Sequence, residues 1–480
     1  MNARPIRSLA IVAALGACSV EPPPRRAVDG IAAPAAWTTA PGQLFDGAAA
    51  ADAAHGAWWT GFGDPDLDRL VADVLAGNRD LRAAAARLDA AAALGTIAGA
   101  PLWPELDGGL TGDRARRLFL GFPFGGGGVP SSTTTVYGLN LTLRWELDVW
   151  GRVRAGAAAS QADQQAALAD FAGAQLSLVA QTCRAYFAAV EANRQLALAT
   201  ATQQSVQATT DDVQDRFRRG TRPALDVHLA STNLANARAT VAERRDRLQR
   251  ALRQLEVLAG RYPAGLAVAA GELPRRMPPV PGALPSELLQ RRPDLVAAER
   301  HLAAAGCRVD AARAALYPRL SLTASGGTSS TELGDLVDRD FRVWDIAGNL
   351  LAPLFRGGAL RAEVARNEAQ AAQAAAEYGS AVLRAFAEVE EALAAAALAT
   401  ERRDELAAAA EHARQARDVA RERWQLGLAD FLAVADGQRQ SYQAESAWIA
   451  AERACLDNRI DLFLALGGGF DAGRTGDASP

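Results

Sequence analysis

Between Arg152 and Gly220 the chain runs without a proline, with Gly156 and Gly173 as its internal glycines, on a composition dominated by Ala, Gln, Leu, Arg and Glu. These are strong helix formers, and at ~1.5 Å per residue a helix of roughly 65 residues approaches ~100 Å. An ordinary globular domain has no interior that long. The apolar face of such a helix needs other long helices alongside it, as in a coiled coil or a helical barrel. The segment that feeds it is of the opposite kind: Tyr137, Leu139, Leu141, Leu143, Trp145, Leu147 and Val149 alternate with Gly138, Asn140, Thr142, Arg144, Glu146 and Asp148. That is the period of a strand with one apolar face.

The second half of the chain repeats the first. Asp294-Leu295, Leu302, Pro318 and Leu320 match Asp80-Leu81, Leu88, Pro104 and Leu106 at one spacing (318 minus 104 gives 214). Gly358, Arg361, Arg423, Gly427, Leu432 and Val434 match Gly151, Arg154, Arg216, Gly220, Leu225 and Val227 at another (427 minus 220 gives 207). The first hairpin region is therefore 7 residues longer than the second. Each half reads helix, strand, loop, strand, long helix, glycine turn, helix. Strands are expected at about 105–112, 135–149, 319–326 and 341–351, an opening helix at 66–98, and returning helices at 224–260 and 430–466. The first repeat spans 58–262, a proline-rich connecting belt 263–290 and the second repeat 291–466, with 467–480 a Gly-rich tail expected to be disordered.

Strands of roughly 9 to 11 residues cross a bilayer only within a closed barrel, and the smallest common barrels need about eight strands. Four cannot close alone. Two copies would supply eight and three would supply twelve, and the spacing does not choose between them. A water-soluble four-stranded sheet beside helices explains the alternation equally well, but leaves the helix length and the N-terminus without a purpose. There, Arg4 and Arg7 precede a short apolar run from Leu9 to Leu15, the pattern of a secretory leader and too short for a span. Leu15-Gly16-Ala17-Cys18 resembles a bacterial lipobox, which implies a signal peptide over 1–17 cleaved before Cys18 and lipid on its thiol, an anchor on a tether over 18–57. Ser19 stands where an Asp would resemble an inner-membrane retention signal.

Several chemistries are excluded. All 51 basic residues are Arg and the net charge is −4, which gives no reason to expect nucleic acid; without Lys there is no Walker loop. Cys183, Cys307 and Cys455 have no CxxC spacing and read as small apolar residues. The four histidines are scattered, and Asp64, Asp66 and Asp68 fail as a calcium loop because Arg69 stands where Gly is needed. Glu388, Glu390 and Glu391 lie on a charged helical face without a histidine or nucleophile in register, so they read as solvated or paired with arginines. No cofactor, metal or catalytic group is expected.

The chain resembles the outer membrane efflux channels of the TolC and OprM type, most closely their NodT-like lipoprotein branch. The resemblance rests on Trp59 with Phe62-Gly63-Asp64-Pro65, the junction Trp145-Glu146-Leu147-Asp148-Val149-Trp150-Gly151-Arg152, Arg291-Arg292-Pro293-Asp294-Leu295 with Ala298-Glu299, Tyr317-Pro318, Pro353-Leu354-Phe355 with Gly357-Gly358, and two glycine turns. It implies a mixed, mainly α fold: a periplasmic α-barrel joined to a twelve-stranded transmembrane β-barrel shared by a homotrimer. The implied function is the exit duct of a tripartite efflux pump, with a periplasmic adaptor protein and an inner-membrane pump of the resistance-nodulation-division type as partners. A non-conducting structural lipoprotein and a type I secretion duct are the alternatives.

By the same resemblance, Leu426, Gly427, Leu428 and Ala429 form a tip that meets the adaptor. The other turn, Arg219, Gly220 and Thr221, is more basic than the family pattern. Asp430, with Asp226 in the other half, and the neighbouring Arg423 are the gate candidates, Asp430 reading equally well as a helix N-cap. A wide polar duct selects little, so the substrate is not legible. The scarcity of Met, at 2 residues, argues against a dedicated copper or silver conduit.

Overall fold

The computed structural model describes residues 34, 36–38, 57–119, 131–267, 271–274, 277 and 285–468. The leader, Cys18, most of the tether, residues 268–270, 275–276 and 278–284 of the belt, and residues 469–480 lie outside the described residues. The elements run α1 (Pro65–Gly77), α2 (Arg79–Gly99), β1 (Glu105–Leu118), β2 (Ser131–Leu147), α3 (Arg152–Arg218), α4 (Ala224–Leu258), α5 (Pro285–Arg291), α6 (Pro293–Ala314), β3 (Arg319–Ser330), β4 (Arg342–Leu351), α7 (Ala359–Gln425) and α8 (Phe431–Ala465), with short 3-10 turns between some of them. Both α3 and α7 are 67 residues long, and both α4 and α8 are 35. Among the described residues no helix is long and apolar enough to cross a membrane.

The expected helix over 66–98 is two helices. Asn78 breaks it: its backbone is extended, its Oδ1 accepts from Leu81 N–H at 2.9 Å, and its Nδ2 donates to Leu258 O, the last carbonyl of α4, at 2.9 Å. The side chain thus caps α2 and ties the break to a helix end whose carbonyls lack intrahelical partners. Arg292, 214 residues on, separates α5 from α6 in the same way and donates through Nη1 to Ala465 O, the last carbonyl of α8, at 3.2 Å. Close approach enforces the first joint, because a Cβ on Gly260 would lie 2.3 Å from Gly77 O.

The four strands form one antiparallel sheet in the order β1-β2-β3-β4. β1, β2 and β3 are longer than the alternation indicated, whereas β4 spans almost the expected range and β2 ends at Leu147, before Val149. β1 continues beyond Gly112 to Leu118, where the pairing Asp113↔Val136 to Leu118↔Ser131 is carried by backbone hydrogen bonds and not by an apolar pattern.

The chain divides into two compact units, each drawing on both halves of the sequence. One comprises residues 88–167 and 298–378 and holds the sheet. Beside the sheet, Leu102, Val153 and Ala157 make a small core, and Ala162, Ala303 and Ala304 make another in which small side chains let helices approach closely. The other comprises the described residues of 29–87, 168–297 and 379–480. Its main core gathers Leu67 and Val71 of α1, Phe187 of α3, Leu255 of α4, Val389 of α7 and Ile460 of α8. Trp58 stacks on Phe463 with ring centroids 4.9 Å apart, and Phe62 meets Phe187 edge-on at 5.1 Å.

Within that unit Asp64 is a structural carboxylate. It caps α1, accepting from Asp66 N–H at 2.9 Å, and its other oxygen accepts from the Tyr186 hydroxyl at 2.7 Å. Burial, then the Asp64 carboxylate, pushes the Tyr186 phenol up. Burial would lower the Arg292 guanidinium, but Asp294 and Glu388 overcome it and hold it raised. Glu388, 2.6 Å from Arg292, and Glu390, which accepts from Thr38 N–H at 2.6 Å, are thereby engaged structurally. Cys183 and Cys455 are buried and Cys307 is half-buried.

Candidate membrane sheet and helical tips

Strand register sorts the side chains of the sheet onto two faces. The rows Leu106–Leu143–Ala324–Ile346, Gly108–Leu141–Gly326–Trp344 and Leu110–Leu139–Thr328–Arg342 lie on one face, with Trp145, Leu322, Leu320 and Leu350 following in sequence. Apart from the last pair of that third row, these rows are apolar. The opposite face holds Asp107, Asn140, Thr142, Arg144, Thr323, Ser325, Asp345 and Asn349. On it Arg144 Nη1 donates to Asp107 Oδ2 at 3.2 Å, and Ser325 Oγ donates to the Asp345 carboxylate.

The apolar face is uncovered: Leu110 is 68% exposed, Trp344 78%, Ile346 69% and Leu350 67%. Leaving these side chains in water forfeits roughly 1.5–3 kcal/mol each. The edges are open too, since among the described residues β1 pairs only with β2 and β4 only with β3. Lipid suits the apolar face but not unpaired backbone edges, which a sheet in lipid can satisfy only within a closed barrel.

The strand-to-helix junction explains its own sequence. Asp148 accepts from Val153 N–H at 3.0 Å and Arg154 N–H at 2.8 Å, capping α3. Glu146 receives a bidentate pair from Arg152, at 3.0 and 2.7 Å. The Trp150 ring stacks on Tyr317 at 4.9 Å while its Nε1 donates to Pro318 O at 2.8 Å. The junction is thus locked to β2 on one side and to the entry of β3 on the other.

At the glycine turns, Gly220 and Gly427 have φ of 73° and 76°, and the chain reverses through a Thr221 N–H bond to Arg216 O and a Leu428 N–H bond to Arg423 O. A side chain there is strained, so glycine is required. Arg219, Gly220, Thr221, Leu426, Gly427 and Leu428 are exposed, and Ala429 is half-buried. Asp430 is the N-cap of α8, accepting from Ala433 N–H at 2.9 Å. Asp226 is not its counterpart: it lies in the first turn of α4, half-buried, and Pro223 occupies the N-cap position that corresponds to Asp430. Arg423 is exposed.

The tips also hold a cluster that sequence reasoning missed. Trp424, 2% exposed, packs with Val213, Ala230, Phe431 and Val434. Its Nε1 donates to Asp212 Oδ2 at 3.1 Å, and the other Asp212 oxygen accepts from Arg216 Nε at 3.1 Å. The Arg216 and Arg222 guanidiniums lie over the indole, 4.8 and 4.2 Å from its centre. This ties α7 to α3. The one available signal was the change from Phe217 to Trp424 at the 207-residue spacing. Above the cluster, α3, α4 and α8 leave a groove of about 350 Å³ that includes Val206, Leu229, Phe431 and Tyr442.

An amphipathic sheet with open edges, continuous in the chain with helical hairpins that end in glycine turns, is the architecture of a membrane channel protein. The chain belongs to the outer membrane efflux protein family, which it matches over residues 70–261 and 284–468. It is 35% identical over 480 residues to outer membrane protein OprJ of Pseudomonas aeruginosa, covering 98% of this chain and 97% of that one. It is 32% identical over 477 residues to the pyoverdine export outer membrane protein OpmQ of the same species, covering 98% of each. A solved structure of the outer-membrane channel OprN superposes with a TM-score of 0.85 at 30% identity, covering 93% of this chain and 98% of that one. The protein is accordingly an outer membrane efflux channel of the TolC and OprM type, and not an enzyme.

Proposed function

We propose that three copies pool their sheets into a twelve-stranded barrel, and that the assembly is the passive exit duct of a tripartite pump. The observation that carries this reading is the amphipathic sheet with two open edges. Three copies turn the apolar face to lipid and the polar face, with Arg144, Asp107 and Asp345, to a water-filled lumen. The helical hairpins continue the passage into the periplasm, where an adaptor protein receives the tips at Arg219, Gly220, Thr221 and at Leu426, Gly427, Leu428, Ala429. An inner-membrane pump, of the resistance-nodulation-division type, supplies the energy. Cys18 carries the lipid anchor in this scheme.

The periplasmic end closes where the tips converge. The Trp424–Asp212–Arg216 tie holds the two hairpins of a protomer together, and Asp226, Arg423 and Asp430 are the charges offered toward neighbouring copies. The polar lumen discriminates weakly, so substrate choice rests with the pump. The test is planar-bilayer conductance of the purified chain together with its mass in detergent. Discrete steps from a particle three times the monomer mass are expected; a non-conducting monomer refutes the proposal.

A further inference from the structure

The apolar face of the sheet changes character at the end remote from α3. Pairing continues from Gly112↔Tyr137 to Arg114↔Thr135 and Arg116↔Thr133, and because side chains alternate, Arg114 and Arg116 stay on the face that carries Leu106 and Leu110. Arg342 opens β4 on that face, paired with Thr328. All three arginines are exposed. The strand acids Glu105, Asp107, Asp113, Glu146 and Asp345 all fall on the opposite face. In the β3–β4 connection, Asp335 accepts from Ser330 Oγ at 2.9 Å and Asp338 accepts from Asp340 N–H at 3.1 Å, so these carboxylates are engaged locally.

We propose that Arg114, Arg116 and Arg342 form a rim that binds the phosphate groups of a phosphorylated glycolipid in the outer leaflet. The inference rests on the barrel reading, in which this face meets lipid. A guanidinium on a lipid-facing strand is tolerated near the headgroups and costly at the midplane, so the arginines mark the headgroup level. Tyr137, one row nearer the apolar band than Arg114, stands where an interfacial aromatic belongs. The end of the sheet decides the leaflet. β2 enters α3 at its other end, and if the helices are periplasmic the arginine end faces outward. β1 and β4 are the open edges, so in a closed barrel Arg342 of one copy and Arg114 and Arg116 of the next border one seam, and the site is complete only between copies. The planar guanidinium fork pairs with phosphate oxygens two at a time.

The test reconstitutes the full-length protein in phosphatidylcholine vesicles containing either bisphosphorylated lipid A or its dephosphorylated form, and counts glycolipid retained per particle by native mass spectrometry. Wild type is expected to retain the phosphorylated form about tenfold better, the effect of one charge-assisted hydrogen bond. Arg116→Ser should erase most of that preference, whereas Arg117→Ser, one residue along on the opposite face, should keep it. The Arg→Lys variant at all three positions should keep part of it through charge alone. Equal retention of the two lipids by wild type, or identical behaviour of Arg116→Ser and Arg117→Ser, overturns the rim. Conductance is recorded in parallel. Conducting particles without lipid preference overturn the rim alone, and absence of conductance in wild type overturns the duct reading.

Discussion

Trp424→Ala should loosen the helical tips without unfolding the rest of the molecule. The indole is almost fully buried among Val213, Ala230, Phe431 and Val434, and truncating a packed aromatic of this size costs about 3–5 kcal/mol. The edge-on pair with Phe431, with ring centroids 6.0 Å apart, accounts for about 0.5–1.5 kcal/mol of that. Each overlying arginine adds about 0.5–1 kcal/mol. The Nε1 bond to Asp212 adds about 1 kcal/mol or less, since Asp212 is 42% exposed and also holds Arg216. These contributions overlap and do not sum. A loss of about 3–4 kcal/mol raises the local opening constant by roughly two to three orders of magnitude. Amide hydrogen exchange reads it directly at Val213, Ala230 and Val434, with Val389 and Leu393 in the separate main core as the unaffected reference. Trp424→Phe keeps an aromatic ring but loses the N–H and part of the indole's volume, so its effect should be at least about fivefold and smaller than that of Trp424→Ala. If the tie holds the hairpins closed, Trp424→Ala also raises the open-channel fraction in planar bilayers. Unchanged protection at Val213 and Val434, or equal loss at Val389, refutes the reasoning.

Replacing Gly427 by Leu forces a branched side chain into φ 76°, at a cost of about 1–3 kcal/mol confined to the turn; drug export should be abolished while the oligomer remains in the membrane, and wild-type export would contradict the tip assignment. Asp430→Ala removes the α8 N-cap and should cost about 1 kcal/mol of local stability; a change in single-channel conductance would show a further gating role, and no change would leave the cap alone. Asp148→Ala strips two N–H bonds from the start of α3 and should lower its protection by about 1–2 kcal/mol, with Asp148→Asn milder. The Glu256 carboxylate, which accepts from Gly265, Leu266 and Ala267 N–H, is held below the usual carboxylate range chiefly by the Gly265 bond. Its folded value being the lower one, its stabilisation is present above the unfolded carboxylate range and lost as pH falls through the folded value; Glu256→Gln should therefore expose the segment around Gly265 to exchange at neutral pH, and the difference from wild type should vanish in acid.

The features legible in the sequence were those carried by a local period or a local breaker. β2 announced itself by strict alternation, α3 by a long proline-free run of helix formers, and the tips by Gly220 and Gly427 closing such runs. The break at Asn78 was not legible, because apolar and Ala-rich sequence continues on both sides and the decisive partner, Leu258 O, is 180 residues away. In the second half Pro293 marks the corresponding joint locally. The far part of β1 was missed because Asp113, Arg114, Arg116 and Arg117 read as loop, although paired backbone needs no apolar side chain to stay paired. Trp424 was passed over for a related reason: its partners Asp212 and Arg216 lie on another helix, 212 and 208 residues back, and no spacing connects them.

The two tips share a 207-residue spacing but not a chemistry, and the difference gives the hairpins unequal parts. Trp424 is enclosed, and the groups that hold it, Asp212, Arg216 and Arg222, belong to the first hairpin. Phe217, its counterpart, is 44% exposed. At its tip the second hairpin therefore docks on the first through Trp424, with Phe431 and Val434 beside it and Gln438 donating to Thr209, while the first presents an aromatic and the exposed Arg218 and Arg219 outward. Any motion that parts the tips must withdraw Trp424 from its arginines and uncover Val213 and Ala230, so Trp424 carries a large part of the cost of opening there. A second interaction, with a neighbouring copy or an adaptor, can offset that cost only by engaging the surface the first hairpin leaves free. Phe217 and Arg219, not their counterparts in the second hairpin, are where such an interaction would couple to opening.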